Sequence, residues 1–183
     1  MTSAPPERPA NLLGALMLAT SDRMSEYVEQ ELGLSETAAA ALSALDQFLD
    51  RPAVDQLAKV VGLTQSGGVR LVDRLERDGL VRRGSGTDRR SASVSLTPAG
   101  RRLARKVESA RLQLLDDVMA PLRAEERDTF ASLGGRMLAA MMREPGATRW
   151  ICRLCDLSAC GRPAGQCPIE QAARARYGNH TGA

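Results

Sequence analysis

The sequence predicts a mainly α fold with a small β-hairpin wing: a winged helix-turn-helix flanked by N- and C-terminal helices. Three observations carry that reading. Long stretches before residue 50 and after residue 98 repeat apolar residues at helical spacing. Two short helical segments, residues 53–63 and 64–79, meet at a glycine-containing turn, which is the helix-turn-helix pattern. Directly afterwards the period shortens, and "LVRR" and "ASVSLT" read as strands around the polar, basic and glycine-rich "GSGTDRRS".

Taken in order, residues 1–10 are proline-rich and polar, the composition of a disordered arm. From Asn11 to Leu32 an amphipathic helix is expected, with Leu12, Leu13, Leu16, Met17, Met24, Tyr27, Val28 and Leu32 as its apolar set and Gly33 as its stop. Ser35 is placed to cap an alanine-rich helix that ends before Pro52. Leu57, Ala58 and Val61 then share one face of a short helix closed by Gly62. Thr64 is a good N-cap for the next helix, with Val69, Val72 and Leu75 facing inward and Gly79 ending it. After the hairpin, Pro98 opens a long helix striped by Leu103, Val107, Ala110, Leu114, Leu115, Val118 and Met119, interrupted at Pro121. A last long helix carries Phe130, Leu133, Met137, Leu138 and Met141 before Pro145 and Gly146 end the regular pattern.

Composition narrows the function. The 183 residues are 26% charged and 43% apolar, an ordinary globular balance that can bury a core without staples. Aromatics are 3%, too few for a sugar cleft or a base-stacking platform. The N-terminus lacks a signal-peptide pattern and no apolar run approaches a membrane span, so a cytoplasmic protein is expected. There is no nucleophile–base pairing and no phosphate-binding glycine loop, and the one histidine, His180, sits in a polar tail. Enzymatic chemistry is therefore not expected.

The polar residues around the helix-turn-helix fit nucleic acid instead. Gln65, Ser66, Arg70 and Arg74 supply groups that can reach base edges and phosphates from a helix in the major groove. The wing carries Arg82, Arg83, Arg89 and Arg90, with Asp88 the sole acid between Arg82 and Arg105. An arginine on a slender hairpin suits the negative potential of a narrow minor groove. Gly67 and Gly68, adjacent at the start of the second helix, weaken it by roughly 1 kcal/mol each against alanine. They either let the backbone approach phosphate closely or fray the first turn.

The run "LVDRLERDGLVRRGSGTDRRSASVSLTPAGR" resembles the core signature of the MarR family of winged-helix transcription regulators. The matching pieces are "LVDRLE", "GLV", the wing's "DRR" and "LTPAG". The looser resemblance spans roughly residues 11–144. It implies a homodimer, held by helices from both ends of the core, on a pseudo-palindromic double-stranded operator, most simply as a repressor. It also implies that Arg90 enters the minor groove, that Asp88 orients the wing and that Arg70 faces DNA. A small-molecule effector between the dimerisation helices and the DNA-binding lobe is a further implication.

Beyond Pro145 nothing in that pattern explains "ICRLCDLSACGRPAGQCPIEQ", which holds every cysteine of the chain: Cys152, Cys155, Cys160 and Cys167. The spacing C-x2-C-x4-C-x6-C, with turns available at Gly161, Pro163 and Gly165, can gather four thiolates round one point. Zinc is the first candidate and an iron–sulfur cluster the rival, with thiol or disulfide chemistry behind them. Arg149, Arg153 and Arg162 would favour thiolates or an anionic cluster.

The expected layout is a 1–10 arm, N-terminal helices over 11–50, the DNA-binding lobe over 51–100, dimerisation helices over 101–145, a metal module over 146–175 and a 176–183 tail. The alternative is a redox or metal-handling protein that uses a winged-helix scaffold for protein contacts.

Overall fold

A computed structural model describes residues 7–85, 92–142 and 150–178. The elements are α1 (Arg8–Gln30), α2 (Glu36–Gln47), α3 (Val54–Val60), α4 (Gln65–Arg77), β1 (Val81–Ser85), β2 (Ala92–Leu96), α5 (Pro98–Met119), α6 (Ala124–Met141), a 3-10 turn η1 (Arg162–Ala164) and α7 (Pro168–Tyr177). The fold class is the expected one, helices around a two-stranded antiparallel hairpin. Helix α1 begins at Arg8, ahead of Asn11, so three residues expected in the arm are helical.

The core is built on α2. Ala38 to Leu45 are all buried, so this helix is surrounded rather than one-faced. Its small side chains let neighbours approach closely, and it touches α1, α3, α4, α5 and β2. Leu42, Leu57, Leu75, Val72, Val81, Val94 and Val107 fill the space between them. The caps fall where the side chains predict. Ser35, Thr64 and Thr97 accept hydrogen bonds from the N–H groups of Ala38, Gly67 and Gly100 at 3.3, 3.2 and 3.1 Å.

The hairpin pairs Val81 with Leu96 and Arg83 with Val94. An extra contact joins it to the chain before α3: Ala53 bridges to Ser93, and the Val94 N–H donates to the Pro52 carbonyl at 2.9 Å. Thr97 locks the hairpin base to the end of α4, its hydroxyl donating to the Gly79 carbonyl at 2.7 Å.

Two faces stay uncovered. Leu12, Leu16, Met17 and Leu18 of α1 are exposed, as are Phe130, Leu133, Met137, Leu138 and Met141 of α6. The apolar stripe expected on α6 is thus left roughly half exposed within the described part of one chain. Residues 150–178 form a smaller unit with its own cluster of Met142, Cys152, Cys167, Ile169 and Ala173. No helix among the described residues is long and apolar enough to cross a membrane.

Candidate nucleic-acid interface and thiol module

Helix α4 is set by α3. A Cβ added at Gly68 would lie 2.5 Å from the Ala58 Cβ, so the crossing of the two helices requires glycine there. This replaces both sequence readings of the position: Gly68 is buried in a helix contact and neither meets phosphate nor frays the turn. It also corrects the expected inward face. Gly68, Leu71, Val72 and Leu75 point inward, and Val69 is turned out, 41% exposed. Because the inward stripe begins at Gly68, the outward one carries Gln65, Ser66, Val69, Arg70, Asp73, Arg74 and Arg77. The four α4 residues singled out in the sequence therefore share the exposed side.

Of the wing cations, Arg83 is already engaged. Its backbone N–H donates to Glu76 Oε1 at 2.9 Å, and its guanidinium pairs with Glu76 and Asp73 of α4. The backbone N–H and then the side chain of Arg83 hold the Glu76 carboxyl below its usual value. Asp73 first, and Glu76 after it, raise Arg83. Arg83 thus pins β1 to α4, a role its place in a basic run does not reveal. Arg82 is exposed, with Nε donating to Ser95 Oγ at 3.3 Å. It lines a basic groove with Arg101, Arg102 and Arg105 at the start of α5, a clustering missed in the sequence because a whole strand separates Arg82 from the others. Arg101 is paired with Asp46 at 2.9 Å. Asp88, Arg89 and Arg90 lie outside the described residues.

A cavity of about 500 Å³ lies between α1, α2 and α5. Leu16, Met24 and Leu115 give it apolar walls, and Arg111, Arg153 and Glu36 are its charged lining.

The thiol module turns where its glycines allow: Gly161 and Gly165, at φ 68° and 69°, bracket η1. Cys152 and Cys167 are buried, and Cys155 and Cys160 half-buried. The neighbouring Cys152 side chain, with Arg111 and Arg162, outweighs burial and lowers Cys155 to about 6, while Cys155 and burial push Cys152 up. Cys160 donates to the Leu157 carbonyl at 3.4 Å, and burial raises its thiol. Among the described residues no three ligand-type side chains are already arranged about one ion. His180 lies outside the described residues.

The helix order, the capped helix α4 and the hairpin behind it define a winged helix-turn-helix protein. The sequence profile of the MarR family matches residues 32–91. A MarR-family transcriptional regulator from Silicibacter pomeroyi is 30% identical, with TM-score 0.56, covering 70% of this chain and 89% of that one. MepR from Staphylococcus aureus, solved with DNA, shares the fold at TM-score 0.61 and 20% identity over 74% of this chain and all of its own. YwhA, a helix-turn-helix transcriptional regulator of Bacillus subtilis, is 31% identical over 81 residues, 44% of this chain and 58% of that relative, so less than two thirds of its length is matched. The chain belongs to the MarR family.

Proposed function

We propose that this chain is a dimeric DNA-binding transcription regulator, working as a repressor, with a C-terminal thiolate metal site. The observation that carries the reading is the outward face of α4. Gln65, Ser66, Arg70 and Arg74 are exposed together on a helix whose N-terminus is capped and whose inner side is locked to the core. Such a helix presents bidentate groups to the major groove, Arg70 and Arg74 donating to guanine and the Gln65 amide donating to and accepting from adenine. Val69, exposed beside them, offers a methyl surface for thymine. The wing supplies Arg90 for the minor groove, with Arg89 as a further DNA contact and Asp88 orienting the wing.

The second copy covers the apolar faces of α1 and α6, which come from opposite ends of the chain and are open together. Two-fold pairing of those faces gives two reading helices for a pseudo-palindromic site. The cavity beside Arg111 suits an anionic, partly apolar effector. The family membership and the likeness to a fold seen on DNA support this reading over a metal-handling scaffold.

The test is affinity at fixed salt for a duplex selected by the wild-type chain. Arg90→Ala is expected to weaken binding substantially with the fold intact by circular dichroism. Arg70→Ala should cost about 1–3 kcal/mol and relax preference at one base pair. Unchanged affinity in both variants would remove the assignment.

A further inference from the structure

Residues 150–178 have little with which to hold themselves together. Their buried set is Cys152, Cys167, Ile169 and Ala173, closed by Met142 from the end of α6. A unit this small is ordinarily stapled by a metal or by disulfides. The four cysteines are free. They share one small cluster, Cys152 and Cys167 buried in it and Cys155 and Cys160 packed against it. Four sulfurs at 2.3 Å from one zinc ion stand about 3.8 Å apart along each tetrahedral edge. Four thiols gathered in one small cluster fit that compact span. A four-iron cluster seats each cysteine on a different iron and spreads the sulfurs well beyond mutual contact. Because the thiols are not yet arranged about one point, the side chains must rotate to close on an ion, each releasing its proton as its sulfur becomes a ligand.

The module is also wedged between the DNA-reading lobe and α6. The Trp150 indole sits on Gly62, the left-handed residue in the turn between α3 and α4, with Nε1 3.1 Å from where a Cβ would stand. Leu154 packs on the main core, and the Leu157 N–H points to Gln47 Oε1 of α2 at 3.4 Å. On the far side Pro168 rests on Gly135 of α6, and Arg176 donates to the Met142 carbonyl at 2.9 Å. Trp150 lies two residues from Cys152, so whatever fixes the thiols fixes the indole.

We propose that Cys152, Cys155, Cys160 and Cys167 bind one zinc ion, and that this tetrathiolate centre is a clasp that seats Trp150 on the helix-turn-helix turn and so holds the reading helix ready for DNA. The zinc-loaded chain is then the tight-binding form, because a pre-set reading head loses less freedom on binding. A ligand that favours one arrangement of two shifts the population toward it. The regulatory half of this proposal rests on the DNA-binding reading above; the zinc site does not.

The experiment uses the full chain. Metal and sulfide are measured per chain, zinc is stripped with a chelator under reductant, and zinc alone is added back. Trp150 is the sole tryptophan, so its emission reports the clasp without DNA. About one zinc per chain, a red shift of emission on stripping, and a tenfold or greater loss of affinity for a selected duplex, all reversed by zinc, are expected. Cys155→Ser with Cys160→Ser, both at half-buried positions, should lose zinc and show the stripped emission. Trp150→Ala should keep zinc and bind DNA weakly whether loaded or not. Iron with sulfide, two disulfides, or no metal overturns the site. Unchanged emission on stripping overturns the clasp, and unchanged duplex affinity overturns its control of DNA. A loaded chain that selects no duplex contradicts the DNA-binding reading and the control built on it, while metal content and Trp150 emission still decide the site.

Discussion

Gly68 and Gly100 show how much of this fold depends on single missing methyl groups. At Gly100 an added Cβ would stand 1.9 Å from the Leu80 carbonyl oxygen. That oxygen cannot retreat freely, since it accepts the Thr97 N–H at 3.0 Å. Gly100→Ala should therefore displace the start of α5 and destabilise the chain by more than Gly68→Ala. For Gly68→Ala, overpacking against Ala58 costs about 1–3 kcal/mol and outweighs the gain of roughly 1 kcal/mol in helix propensity. Urea unfolding checks both, and a variant as stable as the parent would refute the close-packing account. The Glu76–Arg83 tie adds a pH dependence. Glu76 is held below its usual 4.5, so its stabilisation is in place above that value and is lost as pH falls through the lower folded value. Wild type should melt above Glu76→Gln at neutral pH, with the gap closing below about pH 4.5; a gap indifferent to pH would contradict the tie.

At the scale of elements, the caps and stops were legible because they are local. Ser35 and Thr64 each bond an N–H three residues on, and Gly33, Gly62 and Gly79 take the left-handed conformation that ends a helix. What joins elements was not legible. The Ala53–Ser93 bridge, the pairing of Arg83 with α4 and the seat of Trp150 on Gly62 all link residues far apart in sequence or hidden inside a charge run. The inward face of α4 was misjudged at Val69 because a glycine gives no apolar signal, although Gly68 is the residue that packs. Apolar residues on α1 and α6 marked amphipathic helices correctly, yet nothing local says whether the stripe meets its own chain or a copy. If the copy covers them, Leu16→Asp with Met137→Asp should yield a folded monomer by light scattering and abolish tight duplex binding. A variant that stays dimeric would move the interface elsewhere.

For the molecule as a whole, the regulator reading joins an outward-facing α4, a hairpin pinned behind it and two open apolar faces into one two-fold reader. Its association with DNA should fall steeply with salt, because each arginine that meets a phosphate releases a counterion. The most direct test is selection of bound duplexes from a random pool by the full-length chain, followed by footprinting of the enriched sequence. The expected result is one enriched motif with two inverted half-sites about 10–10.5 base pairs apart, or a multiple of that spacing, both protected together. Retention of duplexes without sequence enrichment, or of none at all, would contradict the account.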